Sequence, residues 1–195
     1  LMLLKLLIDY KKTNGTSTDK IYTVKRAEGG TSIAALGEGS GRWTPEFEKI
    51  PSGIPSLLKQ LETRYRTAKA SSNGAFFTPN GLIWHQGEGD RNFSADYYLN
   101  MKFVIWYVRG FTNTPELPIM IGGINSLSTQ YNFDVEQSKL RLVAEDSFVF
   151  YAPVTNIQSN LKSDGVHFNY AGGNELATTM FNIMVANSKI FGLTV

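Results

Sequence analysis

Short apolar runs and stretches of helical spacing alternate along most of the chain. Runs of apolar, β-branched and aromatic residues, bounded by glycine, proline or polar clusters, predict strands at 20–25, 81–84, 118–123 and 147–151. Apolar residues three and four positions apart predict helices from the first residue to about Lys12, at 54–69, 94–109 and 134–145, and from about Tyr170 to Asn187. This alternation is typical of a mostly parallel sheet with helices on both faces.

The pattern indicates one domain, residues 1–195, because neither an internal repeat nor a linker interrupts it. At the start of the chain, the apolar positions already fit the buried face of a helix, and no capping residue precedes them. We therefore expect the sequence to begin inside a structural element.

The composition is that of an ordinary globular protein, with 42% hydrophobic and 18% charged residues. A net charge of +2 is too weak a field to suggest a nucleic-acid partner or an anionic membrane, and no run of eighteen apolar residues is present. The absence of cysteine excludes disulfides and thiol catalysis, and two histidines are too few for a multi-histidine metal centre. Thiolate and multi-histidine metal centres are therefore excluded.

The glycine-rich loop at 37–41 does not fit the known phosphate-binding patterns. It lacks the Gly-Lys-Ser/Thr ending of a P-loop, and Arg42 breaks the dinucleotide-binding glycine pattern. Ser40 is not a nucleophile elbow, because Glu38 stands where that motif requires glycine. We expect no catalytic chemistry from this loop.

Three separated segments carry the candidate chemistry: 29–32 (Gly-Gly-Thr-Ser), 84–90 (Trp-His-Gln-Gly-Glu-Gly-Asp) and 164–167 (Asp-Gly-Val-His). The first two follow predicted strands, and the third lies in the loop after the last strand. Open parallel sheets bind ligands at the carboxyl edge of their strands, so we expect the three segments to converge there. Taken singly, each also fits a simpler interpretation: a solvated turn for the third, and a hydrogen-bonded strand end for the second.

The residue types suit acyl transfer. Asp164 lies three residues before His167, so a turn can place its carboxylate on one ring nitrogen and leave the other free as a base. The N–H of Gly30 and the side-chain amide of Gln86 can together bind a developing oxyanion. His85 is predicted to be buried and structural.

These segments resemble the SGNH (GDSL-type) hydrolase superfamily, and within it the sialate O-acetylesterase branch, which includes carbohydrate esterase family 6. That branch is marked by a Gly-Gly-Thr turn, a Trp-x-Gln-Gly-Glu-x-Asp stretch and a late Asp-x-x-His, and all three occur here in that order. The resemblance implies a three-layer α/β/α, flavodoxin-like SGNH fold. It also implies removal of acetyl groups from O-acetylated sugars by a serine nucleophile, without cofactor or metal.

The resemblance also implies residue roles. His167 is the general base and Asp164 the acid that orients it, while Gly30 and Gln86 form the oxyanion hole. Some members of the branch use the glutamate at the position of Glu88 as the acid of the triad, so Glu88 is a second candidate for orienting His167.

The chain departs from the family pattern at its start. The family's nucleophile lies in an early Gly-Gln-Ser-Asn type motif between the first strand and the first helix, and this sequence opens at what resembles that helix. Ser17 lies in a polar turn, and Ser32 lies in the wrong element. We expect the first strand and the nucleophile to come from an upstream segment or a separate chain, which would fill a slot between the strands at 20–25 and 81–84.

Two functional classes follow. The first is an O-acetyl carbohydrate esterase that is inactive as these 195 residues alone. The alternative is a non-catalytic carbohydrate-binding or structural module on an SGNH scaffold that lost its serine. An extracellular or surface setting is expected, because polymeric glycans are found there.

Overall fold

The computed structural model describes residues 2–14, 21–72 and 78–193. Within these ranges the chain forms five helices and three strands, with short 3-10 turns at Phe47–Lys49, Glu88–Phe93 and Gln158–Asn160. The elements, in chain order, are α1 (Met2–Asn14), α2 (Leu57–Ala70), β1 (Leu82–Trp84), α3 (Ser94–Thr112), β2 (Ile119–Gly122), α4 (Phe133–Glu145), β3 (Val149–Ala152) and α5 (Tyr170–Ala186).

The three strands form one parallel sheet in the order β1-β2-β3. Leu82 pairs with Ile119 and Ile119 with Val149, so the strands run in register from a common start. All four residues of the central strand β2 are buried, as expected of a parallel strand covered on both faces. Three strands predicted from the sequence are therefore confirmed, each shortened or shifted at its ends.

The helices lie on both faces of this sheet and give the α/β architecture its three layers. On one face, α3 and α4 pack over a core that includes Ile119 and Ile121. On the other face, α1 and α5 pack together over Met120 and Ala152. The alternation of side chains along β2 thus divides the apolar residues between two cores.

Short side-chain caps fix where several helices begin. Ser56 accepts a hydrogen bond from the Lys59 N–H at 3.2 Å at the start of α2. Asn132 accepts one from the Val135 N–H at 3.1 Å at the start of α4. Such caps satisfy backbone donors that a helix leaves unpaired in its first turn. No helix in the described part of the chain is long and apolar enough to cross a membrane.

The predicted strand at 20–25 is wrong for the residues that the structure describes; Lys20 lies outside them. Residues 21–28 have no regular secondary structure. This segment instead rests against α2, where Arg64 donates to the Lys25 carbonyl at 2.6 Å and Arg26 donates to Gln60 at 2.7 Å. The segment is rich in β-branched residues, yet no strand among the described residues lies beside it to form a ladder.

β1 stands at the edge of the sheet. None of the described residues pairs with its second side, and Ile83 is exposed although it lies in a strand. The slot was predicted between two strands, and only one of them, β1, is present among the described residues. No described strand lies on the second side of β1. An unpaired edge of this kind presents a row of free N–H and C=O groups to an incoming strand.

Candidate active site

Asp164 and His167 form a tight turn in the loop between β3 and α5. The carboxylate Oδ2 lies 2.9 Å from His167 Nδ1, and Oδ1 accepts hydrogen bonds from the backbone N–H groups of Val166 and His167 at 2.9 and 3.0 Å. Gly165 adopts a positive φ of 68°, which lets the chain reverse between the two residues. The predicted contact between Asp164 and His167 is confirmed.

This turn is held by backbone bonds and stays open to solvent. The Lys162 N–H donates to the His167 carbonyl at 2.8 Å, and the Thr129 N–H donates to the Gly165 carbonyl at 3.0 Å. The backbone N–H of His167, that of Val166 and the imidazole contact lower the pKa of Asp164 below its usual range. The carboxylate is therefore ionised throughout the neutral range. No described group bonds to His167 Nε2, which leaves this nitrogen available as a base.

Gln86 lies directly after β1, and both of its amide hydrogens are engaged within the protein. Its Nε2 donates to the Thr31 carbonyl at 3.0 Å and to Asp90 Oδ2 at 2.5 Å. The Oε1 atom is buried and has no hydrogen-bond partner within the described chain. The amide thus connects the 84–90 segment to the 29–32 segment. An oxyanion donor would need an N–H that faces the substrate, and both N–H groups of Gln86 are instead bonded within the protein.

Asp90 is the centre of this fastening. Its fully buried carboxylate accepts hydrogen bonds from the backbone N–H groups of Ile33 and Ala34 at 2.8 and 2.9 Å, in addition to the bond from Gln86. Burial raises the pKa of Asp90, while the three N–H donors and the nearby charge of Arg42 oppose the rise. A buried carboxylate with this many donors is a strong local constraint on the backbone.

Arg42 holds the backbone of the glycine-rich loop by donating hydrogen bonds to its carbonyl groups. It is buried, and its guanidinium donates to the carbonyls of Ala35, Glu38, Gly39 and Gly41 at distances of 2.7–3.0 Å, and also to Gly37. Burial lowers the pKa of Arg42 and the charge of Asp90 raises it again. The carbonyl groups of the loop at 37–41 therefore surround the Arg42 guanidinium.

Two glycines permit the close approach of these segments. A side chain at Gly39, where φ is +91°, would lie 1.8 Å from the Gly30 carbonyl oxygen. A side chain at Gly89 would lie 2.5 Å from the Thr31 carbonyl oxygen. The carbonyl groups of Gly30 and Thr31 thus each lie against a glycine of another segment. Gly30 itself lies in an exposed turn with a φ of 64°.

His85 joins this assembly to the Asp164–His167 turn. Its ring stacks on Phe168, with centroids 5.6 Å apart and an interplanar angle of 27°, and its Nε2 lies 3.2 Å from the Gly123 carbonyl oxygen. The residue is exposed, so the prediction that it is buried is wrong. It lies directly after β1, and the ring of Phe168 covers one of its faces.

The remaining candidates lie apart from His167. No hydrogen bond or ion pair joins the Glu88 carboxylate to His167 among the described residues, so the imidazole is oriented by Asp164 in this structure. Ser32 is fully buried, and its hydroxyl donates to carbonyls of its own loop, at Ala34 and Glu38. No described serine is hydrogen-bonded to His167.

A buried charged cluster beneath the site was not foreseen from the sequence. Lys139 is fully buried on α4, 2.6 Å from Glu136 and 3.1 Å from the Gly122 carbonyl that ends β2. Tyr151 on β3 donates to the same glutamate. A side chain at Gly87 would lie 3.2 Å from Lys139 Nζ, so the cluster supports the backbone next to Gln86. The sequence gives no signal for this cluster, because Glu–Lys pairs three residues apart are ordinary on exposed helices. The burial of this pair at the strand ends becomes visible only in the fold.

A parallel sheet whose carboxyl edge carries an Asp–His turn and a fastened glycine loop defines a partial SGNH-type α/β fold. A family model described as "carbohydrate esterase, sialic acid-specific acetylesterase" matches residues 9–186, and the chain belongs to this family. No curated protein sequence matches the chain significantly.

A crystal structure of the Arabidopsis thaliana protein AT4G34215 at 1.6 Å resolution is similar in fold. The match has a TM-score of 0.55 at 22% sequence identity and covers 67% of this chain and 52% of the Arabidopsis chain. This chain therefore spans about half of the length of that structure.

Proposed function

We propose that this chain is part of an acetyl esterase that removes acetyl groups from carbohydrates. The family supports an O-acetylated carbohydrate as substrate. The single observation that carries the proposal is the Asp164–His167 contact of 2.9 Å at Nδ1, with Nε2 left open. The contact at Nδ1 holds the imidazole in one tautomer and leaves Nε2 exposed, as a general base requires.

In the proposed reaction, His167 Nε2 takes the proton of a serine hydroxyl, and the serine oxygen attacks the acetyl carbonyl carbon. The bond between that carbon and the sugar oxygen breaks, and the sugar leaves with the proton from His167. A water molecule then attacks the acetyl-serine with His167 again as base, which releases acetate and restores the serine. Asp164 holds the imidazole in the required tautomer.

The nucleophilic serine is proposed to come from outside these 195 residues. Its strand would pair with the free side of β1, between β1 and the segment at 21–28. Three observations support this arrangement: the unpaired edge, the exposure of Ile83 and the exposure of His85. A strand in this position would end close to Gln86 and His85, at the same edge as His167.

A fluorophosphonate probe, which labels activated serines, tests the proposal directly. We expect these 195 residues to remain unlabelled and to release no acetate from 4-nitrophenyl acetate or acetylated xylan. Adding the segment encoded upstream should produce labelling of a serine in that segment, and His167→Ala should abolish it. Labelling of Ser32 in the isolated chain would contradict the assignment.

A non-catalytic carbohydrate-binding module is the second candidate. The engaged amide of Gln86 favours it, since a working oxyanion hole presents its donors to the substrate. Under this alternative, the upstream segment completes the sheet but brings no labelled serine, and the protein binds acetylated oligosaccharide without releasing acetate.

A further inference from the structure

His85 contacts both the end of β2 and the residue that directly follows His167. Its ring stacks on Phe168, with centroids 5.6 Å apart and an interplanar angle of 27°. A side chain at Gly122 would lie 2.7 Å from the Cδ2 atom of His85, so the absence of a side chain there makes room for the ring. The imidazole therefore connects the carboxyl end of the sheet to the segment that carries the candidate base.

The hydrogen bond of the His85 ring determines which of its nitrogens carries the proton. Nε2 lies 3.2 Å from the Gly123 carbonyl oxygen, and because a carbonyl only accepts, this bond requires the hydrogen on Nε2. No hydrogen bond joins Nδ1 of His85 to a described residue. In His167 the arrangement is reversed, since Nδ1 faces the ionised carboxylate of Asp164. The two histidines of the chain therefore have opposite tautomers.

Phe168 is the link between the two histidines. The backbone on either side of Phe168 is hydrogen-bonded to the segment at 160–162. A side chain at Gly172, in the first turn of α5, would lie 2.7 Å from Phe168 Cδ1, so the ring packs closely against the start of that helix. His85 contacts the same ring from the side of β1. The backbone of His167 is thus joined to a residue that His85 restrains.

We propose that His85 is a positioning residue, which acts through Phe168 to hold His167 in the Nδ1–H tautomer. The hydrogen bonds of the Asp164–His167 turn are exposed, so water competes with them. A packing contact from a second element therefore shifts the population towards the closed turn. That this tautomer serves catalysis rests on the proposed function, whereas the tautomer itself does not.

Nitrogen-15 NMR of the imidazole rings measures both tautomers in the chain as it stands, because His85 and His167 are its two histidines. At pH 9, well above the ordinary imidazole pKa of about 6.5, we expect the proton on Nε2 of His85 and on Nδ1 of His167. His85→Ala should lower the ratio of Nδ1–H to Nε2–H in His167 severalfold. His85→Phe keeps an aromatic ring against Phe168 and should retain the ratio of the parent.

Val108→Ala is the matched control for a loss of packing. Val108 is buried in the core beneath α3, whereas Phe168 packs against the core on the other face of the sheet. Its truncation should lower the urea midpoint and leave the His167 tautomer unchanged. In the complete protein, His85→Ala should lower kcat about tenfold with little change in KM, and His85→Phe should restore most of that loss.

An unchanged His167 tautomer in His85→Ala would overturn the proposal, as would an equal change in Val108→Ala or a His85→Phe variant that behaves like His85→Ala. A proton on Nδ1 of His85 would contradict its bond to Gly123. Because the spectra require no reaction, the expected tautomers in a protein that releases no acetate would support the role of His85 and count against the esterase. An esterase whose kcat is unchanged by His85→Ala would do the reverse.

Discussion

The loop at residues 31–42 and the turn at residues 164–167 both include residues of the segments predicted to carry the chemistry, and they are held in opposite ways. The loop is buried and depends on contacts across the chain, such as those from Asp90 to Ile33 and Ala34, more than fifty residues away. The turn is exposed, and apart from one backbone bond from Thr129 its hydrogen bonds are made within the six residues 162–167. One segment is therefore fixed by the fold, and the other mainly by local sequence.

Because of this difference, we expect the buried loop to contribute mainly to stability and the exposed turn mainly to catalysis. A buried carboxylate with three donors contributes to folding, because its removal leaves N–H groups unpaired in a dry interior. A solvent-exposed Asp–His contact contributes little to folding, since water can replace each partner. The same type of side chain should then give opposite results in the two regions, and the isosteric change from Asp to Asn compares them directly.

Asp164→Asn should have the largest effect on activity. In a protein that carries the nucleophile, we expect turnover to fall about 10⁴-fold, because the amide favours the wrong imidazole tautomer. The free energy of unfolding should stay close to that of the parent. Acetate release and urea unfolding measure the two quantities. A large loss of stability with intact turnover would assign the turn a structural role.

Gln86→Ala distinguishes two roles for the amide. As an oxyanion donor, Gln86 should contribute about 100- to 1000-fold to kcat with little change in KM. As a fastener of the 31–34 backbone, it should contribute mainly to stability. We expect the kcat effect in the complete protein, where a completed sheet would let the amide face the substrate. Gln137→Ala on the exposed face of α4 is the control. Unchanged kcat with a lower urea midpoint would mean that Gln86 only holds the 31–34 backbone in place.

Asp90→Asn should lower the free energy of unfolding by roughly 3 kcal/mol, as measured by urea denaturation. Each carboxylate oxygen accepts at least one buried N–H, so an Asn amide must place its own N–H groups against one of those donors. Asp96→Asn, on an exposed helical position, should change stability by less than about 1 kcal/mol. Equal effects at the two positions would break the proposed contrast between buried and exposed carboxylates.

The same contrast explains what the sequence could predict. The Asp164–His167 contact follows from three-residue spacing with a glycine in between, and it was predictable. The roles of Arg42 and Asp90 were not, because their partners become neighbours only after the chain folds. The segment at 21–28 has strand composition but no strand beside it, and a ladder needs two partners. His85 was misplaced for the same reason, since its exposure depends on an open edge that no local pattern reveals.

The smallest expected effect concerns pH and the exposed turn. The backbone N–H groups of His167 and Val166 and the imidazole lower the pKa of Asp164 below its ordinary value. A group whose pKa is depressed in the folded state stabilises that state above the pKa of the unfolded chain, near 4 for an aspartate, and the contribution is lost as pH falls through the folded value. The contribution of Asp164 to the free energy of unfolding should therefore stay constant between pH 8 and pH 5.

Carbon-13 NMR of the Asp164 carboxyl group measures this titration in the chain as it stands. We expect a midpoint well below the ordinary value for an aspartate, and a change in the His167 N–H shift with the same midpoint. The two changes should coincide because one carboxylate oxygen accepts that N–H at 3.0 Å. A midpoint at the ordinary value for an aspartate would mean that the turn opens in solution, and the local sequence alone would then not orient His167.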